Sequence, residues 1–309
     1  MKRILIPLIL MAFLYACDDT SEDVNKDDQE QNDGDGTGDG DGTGDGTGDG
    51  DGAGDGDGTS TGDDCLIVTV YEEYDASDKS TGTFEYDADG NIVKFTDYDE
   101  YMEEGVMVTE TEEYVGIYEN GKLVTVEYYE EGTKYETITI EYSGDQISKL
   151  VEEESEGEID EYRLTYENGQ VVSMENWDNY SGETAGEFVL YSRDSYTYDS
   201  NGRIVTIEEE EILDADGSTE VTDISYDDKV NPFQGNLFWL IWDGDFELFV
   251  GANNPTQYDE TYTYDGTTEN YSSSVTYTYN DQGLPTAATY TDDDGDSWTY
   301  ELGYTCEEN

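Results

Sequence analysis

The side chains able to do chemistry in this 309-residue chain are almost all carboxylates: Asp and Glu number 79 against 12 Lys and Arg, and there is no His. Without imidazole the commonest general base, the usual zinc ligand and the standard Ser and Cys triads are missing. Paired carboxylates alone perform glycoside hydrolysis. Here they are so abundant that nothing sets one pair apart, and only Asp243, Asp245 and Glu247 stand in an apolar stretch that would raise a carboxyl pKa. The expectation is a non-catalytic protein, with a carboxylate glycoside hydrolase as the more distant alternative. No Gly-rich loop follows a strand and opens a helix, so nucleotide binding has no support.

Two other groups of residues invite a binding role. The stretch from Asn231 through Phe238, Trp239, Trp242, Phe246 and Phe249 to Pro255 has the highest apolar density after the N-terminal run. It reads either as a short helix or irregular plug closing one end of a sheet, or as a sugar-binding platform in which Trp239, Trp242 and Phe238 offer flat rings to pyranose faces. Asp292, Asp294 and Asp296, spaced around Gly295, read as a cation site or as ordinary turn chemistry. The Asp-Gly repeats between 33 and 57 have some of the spacing of a calcium loop, without its apolar pin or its distal bidentate Glu, so weak cation condensation is expected there. No cofactor is implied beyond weak calcium binding.

The elements that must carry these residues announce themselves by repetition. A strand ending in Tyr, a tight turn with Gly and a branched aliphatic restart recur at Tyr86-Asp87 to Ile92, Tyr118-Glu119-Asn120-Gly121, Tyr142-Ser143-Gly144, Tyr166-Glu167-Asn168-Gly169, Tyr198-Asp199 to Ile204 and Tyr279-Asn280 to Leu284. Asn-Gly and Asp-Gly accept positive φ at little cost, so each phrase predicts a β-hairpin. Alternation supports it, with Ile138, Ile140 and Tyr142 on one face and Thr137, Thr139 and Glu141 on the other. No helical pattern long enough for a crossover separates the strands, so the fold class is all-β, an antiparallel meander of repeated hairpins. Acidic runs such as Glu152 to Glu158 are read as solvated turns or blunted strand edges.

A net charge of −67 repels nucleic acid and gives an anionic lipid surface nothing to hold by charge. The same acidity also fits a solubility adaptation to a salty habitat. With 34% hydrophobic residues but 28 Tyr, apolar area comes from rings whose hydroxyls need water or a partner, which favours partly wet sheets.

Lys2-Arg3 and the apolar run from Ile4 to Leu14 have the form of an export signal, too short to span a bilayer. The run closes on Leu14-Tyr15-Ala16-Cys17, which resembles the lipobox of bacterial lipoproteins, and the acidic residues from Asp18 to Asp23 resemble the surface-export signal of Bacteroidota lipoproteins. That resemblance implies a lipidated Cys17, an outer-membrane location facing the cell exterior, and the membrane as a partner through the lipid. Residues 1–17 are thus read as signal peptide and lipobox cysteine, 18–64 as a disordered Gly/Asp-rich tether, and 65–309 as the all-β repeat domain with an aromatic insert at 231–258. Cys65 and Cys306, an even pair at opposite ends of an exported domain, read as a disulfide or as two buried thiols. The Tyr-Asp-x-x-Gly phrase resembles the YD repeats of Rhs-type wall proteins, and the whole combination resembles uncharacterised Bacteroidota surface lipoproteins. The role expected is adhesion, scaffolding or another envelope function, with extracellular polysaccharide or an envelope protein as the partner.

Overall fold

The computed structural model describes residues 65–75, 78–103, 105–155, 157–179, 186–213, 217–244 and 246–307. The expected signal peptide, Cys17 and the tether lie outside them. In chain order the strands are β1 (Ile67–Asp75), β2 (Asp78–Tyr86), β3 (Ile92–Glu103), β4 (Val106–Glu119), β5 (Lys122–Glu130), β6 (Thr133–Ser143), β7 (Gln146–Glu154) and β8 (Ile159–Glu167). They continue as β9 (Gln170–Asp178), β10 (Val189–Tyr198), β11 (Ile204–Glu211), β12 (Thr219–Val230), β13 (Asn253–Tyr264), β14 (Thr267–Tyr279), β15 (Pro285–Thr291) and β16 (Ser297–Tyr304). Two short helices, α1 (Leu237–Asp243) and α2 (Phe246–Val250), fall between β12 and β13.

Each strand pairs antiparallel with its neighbours in sequence, as the hairpin phrases require, and β1 pairs with β16 to close a barrel of sixteen strands. Closure leaves no strand at an edge. Two-residue turns at Asn120-Gly121 and Asn168-Gly169 have positive φ at both positions (54° and 78°, 51° and 88°), the conformation that matches the twist of the flanking strands.

The repeated Tyr-Asp phrase has a physical account. At Tyr86, Tyr118, Tyr142 and Tyr198 the ladder slips by a bulge. There each hydroxyl donates to a carbonyl at the start of the preceding strand: Ile67 at 2.7 Å, Ile92 at 2.9 Å, Leu123 at 2.9 Å and Val171 at 2.7 Å. Tyr304 does the same to Pro285 at 2.8 Å. A bulge re-aims a side chain, and here it turns a ring along the barrel end to cap a neighbouring ladder. Burial pushes the Tyr86, Tyr118 and Tyr198 hydroxyls up to about 12, so they remain donors. The following residue stabilises the turn: Asp87 Oδ1 accepts from the Asp89 and Asn91 amides, both at 2.9 Å, and Asp199 Oδ1 from those of Asn201 and Arg203 at 2.8 and 3.1 Å.

Cys65 and Cys306 are bonded, with Cα atoms 5.1 Å apart, beside the β1–β16 seam. The loop they close has a sequence separation of 241, for which chain entropy gives on the order of 5 kcal/mol. Intact chain is therefore expected to gain two hydrogens on reduction, and Cys65→Ser with Cys306→Ser to lower the unfolding free energy by up to that amount. Mass spectrometry and urea titration with and without reductant check both.

Candidate functional site

Sixteen strands enclose more space than their own side chains fill, and the insert between β12 and β13 occupies part of it. Trp242 packs on Phe95 of β3 with ring centroids 4.8 Å apart, and Phe246 stacks on Tyr196 of β10 at 4.8 Å. Glu247 accepts the Tyr258 hydroxyl of β13 at 3.0 Å. Because β3 and β10 stand on opposite walls of the ring, one short insert reaches both only from inside the lumen. The strands make room for it with glycine. A Cβ on Gly116 would sit 2.5 Å from the Phe238 ring, and one on Gly82 would sit 2.6 Å from the ring of Phe95, the β3 residue on which Trp242 packs.

The insert is a folded stopper. Asn236 caps α1 by accepting from the Trp239 amide at 3.1 Å, and Gly244, at φ 88°, ends it. Asn231 Nδ2 donates to the carbonyls of Leu248 and Gly251 at 2.6 and 2.9 Å, while its Oδ1 accepts from the Phe233 amide at 2.9 Å. Asn254 holds the other side of the neck through Asp227 and the Val230 carbonyl, and Tyr279 donates to the same Asp227. The plug reading therefore holds, and the sugar platform is corrected. Phe238 and Trp239 are only 2% and 4% exposed, and Trp239 is sandwiched against Phe233 at 3.7 Å and Trp242 at 5.0 Å. Stacking among themselves is the better use of these rings, since each buries a large apolar area that no wet lumen would cover. The Asp243 and Asp245 side chains lie outside the described part.

Once Phe95, Gly116, Tyr196 and Tyr258 are known to face inward, the ladder registers assign the other strand residues between bulges, because paired residues share a face and consecutive residues along a strand do not. Next to the plug the inward layer is apolar: Val70, Phe84, Phe95, Val126, Ile138, Leu150, Ile224, Val275 and Leu302 are buried. One step further along many of the strands the same face turns acidic. Asp97 lies opposite Glu112, Glu136 opposite Glu154, and Glu152 opposite Asp160. Asp194, Glu209 and Glu220 form a single row across β10, β11 and β12. Here the acidic run beginning at Glu152 is corrected: Glu152 and Glu154 belong to β7 and face the lumen, with Glu152 8% exposed. Burial, then repulsion from Glu154 and Asp160, raises Glu136 to about 7. Burial followed by repulsion from Asp194, Glu220 and Glu211 raises Glu209 to about 8. Glu220 rises to about 7 by burial and then repulsion from Glu260, and Asp194 to about 6 by burial.

The outer face is a different surface. It presents Thr81 and Thr83 on β2, Thr137 and Thr139 on β6, Lys149 on β7, Glu161 and Arg163 on β8, Ser272 and Ser274 on β14, and Thr299 and Glu301 on β16. Its ion pairs include Lys94 with Glu113, Arg163 with Glu161 at 2.7 Å and Arg193 with Glu175 at 3.0 Å. The described Lys and Arg side chains lie on this face or at the plugged end.

In the Asp292–Asp296 turn the Asp292 carboxylate serves the turn itself. Asp292 Oδ1 accepts from the Asp296 amide at 2.8 Å, and among the described residues no three Asp, Glu, Cys or His side chains converge on a metal position. Turn chemistry accounts for the spacing. No single lumen pair stands apart as a hydrolase would require either, because the carboxylate pairing recurs around the wall.

No protein-family model matches the chain, and no curated protein matches it. Among solved structures it is similar to a porin-like protein from Bacteroides uniformis, at 12% identity and TM-score 0.53, over 78% of this chain and 96% of that one. A second porin-like protein, from Bacteroides vulgatus, aligns at 14% identity and TM-score 0.45 over 78% of this chain and 99% of that one. The first likeness shows a shared fold.

The plug is tested by packing. Phe238→Ala is expected to cost about 3–5 kcal/mol through the cavity it leaves. Gly116→Val should cost about 1–3 kcal/mol by overpacking the same spot, and the double variant less than the sum. Urea unfolding followed by Trp fluorescence measures all three.

Proposed function

We propose that this chain is a non-catalytic, lipid-anchored component of the cell envelope whose barrel stands outside the bilayer and serves adhesion or scaffolding. The observation that carries the reading is the outer face. A barrel crossing a membrane needs an outward apolar band about 25 Å tall, whereas the mid-strand outward positions here are mostly Thr, Ser, Glu, Lys and Arg, with apolar residues such as Val115, Val151 and Val221 scattered singly among them. Water is the solvent such a surface suits. The lipobox at Cys17 supplies the membrane attachment that the barrel lacks, and the acidic residues behind it support display on the exterior of an outer membrane.

A polysaccharide partner is the second reading, and it moves from the insert to the open end. There Tyr290 and Trp298 stack at 5.1 Å, and Tyr262 and Tyr271 face the lumen beside Glu260 and Glu269. In gel retardation, Trp298→Ala is expected to release any polysaccharide the intact chain holds; retention unchanged in that variant removes this reading.

The anchor is tested in cells with the full chain. Wild-type protein should sediment with membranes and be digested by protease added to intact cells, while Cys17→Ser should move to the soluble fraction. A Cys17→Ser chain that stays in the bilayer through an alkaline carbonate wash would show that the barrel itself spans the membrane and would end the proposal.

A further inference from the structure

The row Asp194–Glu209–Glu220 places three carboxyl groups side by side on adjacent strands, in register and on the same face. Directly opposed residues have Cβ atoms about 4.5–5.5 Å apart, and like charges so placed are destabilising. The groups around them add no positive charge. Glu211 follows on β11, Glu260 faces the row from β13, and Tyr196 donates to Asp194 at 3.1 Å. Arg193 and Glu210 pair on the opposite side of the sheet, where they do nothing for the row. A second patch repeats the arrangement: Glu136 meets Glu154 across the ladder, Tyr128 from β5 and Asp160 from β8, with Glu152 beside them, and Glu136 Oε1 is buried without a hydrogen-bond partner. Both patches lie beyond the apolar layer. The plugged end has what they lack, namely tyrosine caps, a packed insert and a disulfide.

We infer that the open half of the barrel is a conformational device set by protons and dissolved cations: it tightens in mild acid or salt and loosens in alkaline, salt-poor solution, while the plugged half stays closed. The sign follows from linkage. Carboxyls held near 7 (Glu136, Glu220) and 8 (Glu209) in the fold, against 4.5 in the unfolded chain, bind more protons when folded. Their contribution to stability is complete below the unfolded value and is lost as the pH rises through the folded ones. Dissolved cations act in the same direction by screening the row.

Full-length protein is melted at about pH 5.5, about pH 7 and about pH 8.5, at low salt and at about 0.5 M NaCl. Tm is expected to fall by several degrees from the acid to the alkaline end at low salt and to recover with salt. Glu136→Gln with Glu209→Gln should flatten that slope, whereas Glu301→Gln, on the outer face, should leave it unchanged. Hydrogen exchange, corrected for its intrinsic pH dependence, should rise at alkaline pH in the open halves of β6–β7 and β10–β12 and stay low beside the plug. A Tm that is flat or rises with pH, a slope that survives both Gln substitutions, or exchange that rises uniformly along the strands would overturn the inference.

Discussion

Sixteen closed strands enclose a space that inward side chains alone do not fill, and the rest of this structure answers that constraint. A smaller barrel would pack its interior with the residues already on its strands. This one borrows a segment from a single hairpin connection and folds it back inside, where Phe233, Phe238, Trp239 and Phe246 supply the missing apolar volume. The insert reaches only one end. There the inward faces are Val, Ile, Leu and Phe; beyond it the same faces carry Asp and Glu among Tyr, Ser and Thr.

That division explains how a chain with net charge −67 folds at all. The cooperative part is confined to a layer of apolar contacts, the stopper and a belt of tyrosines whose hydroxyls cap the ladder ends. Among the described residues, most of the carboxylates lie where water screens them, on the outer face and in the turns. Those in the lumen are a minority, but they are where burial raises pKa values, since a carboxyl facing other carboxyls across a half-enclosed space loses both solvent and counter-charge. The tyrosines suit this setting better than leucines would. Rings of the inward face cover apolar wall, and their hydroxyls bond to a backbone carbonyl in the belt, as Tyr86 does to Ile67, or to an acid in the lumen, as Tyr196 does to Asp194.

Local structure was legible because it is decided locally. Asn120-Gly121 and Asn168-Gly169 fold as their φ preferences require, and the Ile138–Ile140–Tyr142 alternation marks the inward face of β6 correctly. Closure was not legible, because an open meander and a ring use the same hairpins; they differ in one pairing, β1 with β16, between the two ends of the domain. The acidic lumen was missed for a related reason. A run of Glu from 152 reads as a solvated turn whenever the alternative is an oily core, and only the ladder partners reveal that its even positions continue the inward face set by Leu150. Tyr226 escaped notice as well. It carries the same ladder slip as the other anchors, but the insert replaces the Gly turn that made them recognisable.

The outward face is what the proposed reading of the shared fold rests on. Strand number, antiparallel order and hairpin connections are common to barrels that cross membranes and barrels that do not, so the likeness to a porin-like structure constrains the backbone and leaves its solvent open. Alternation bears on the proposed solvent. In a membrane barrel the polar residues point in and the apolar band points out. Here the packed apolar layer points in, at the plugged end, and the outer face carries Thr ladders such as Thr289 with Thr299 and ion pairs such as Arg193 with Glu175. Moving such a wall into hydrocarbon would bury hydroxyls and charges whose partners hold only part of their hydrogen-bonding capacity, at a cost of several kcal/mol for each poorly paired group. The sequence has placed its apolar side chains to hold a stopper, and that plan is the ground for the proposal that the barrel stands in water.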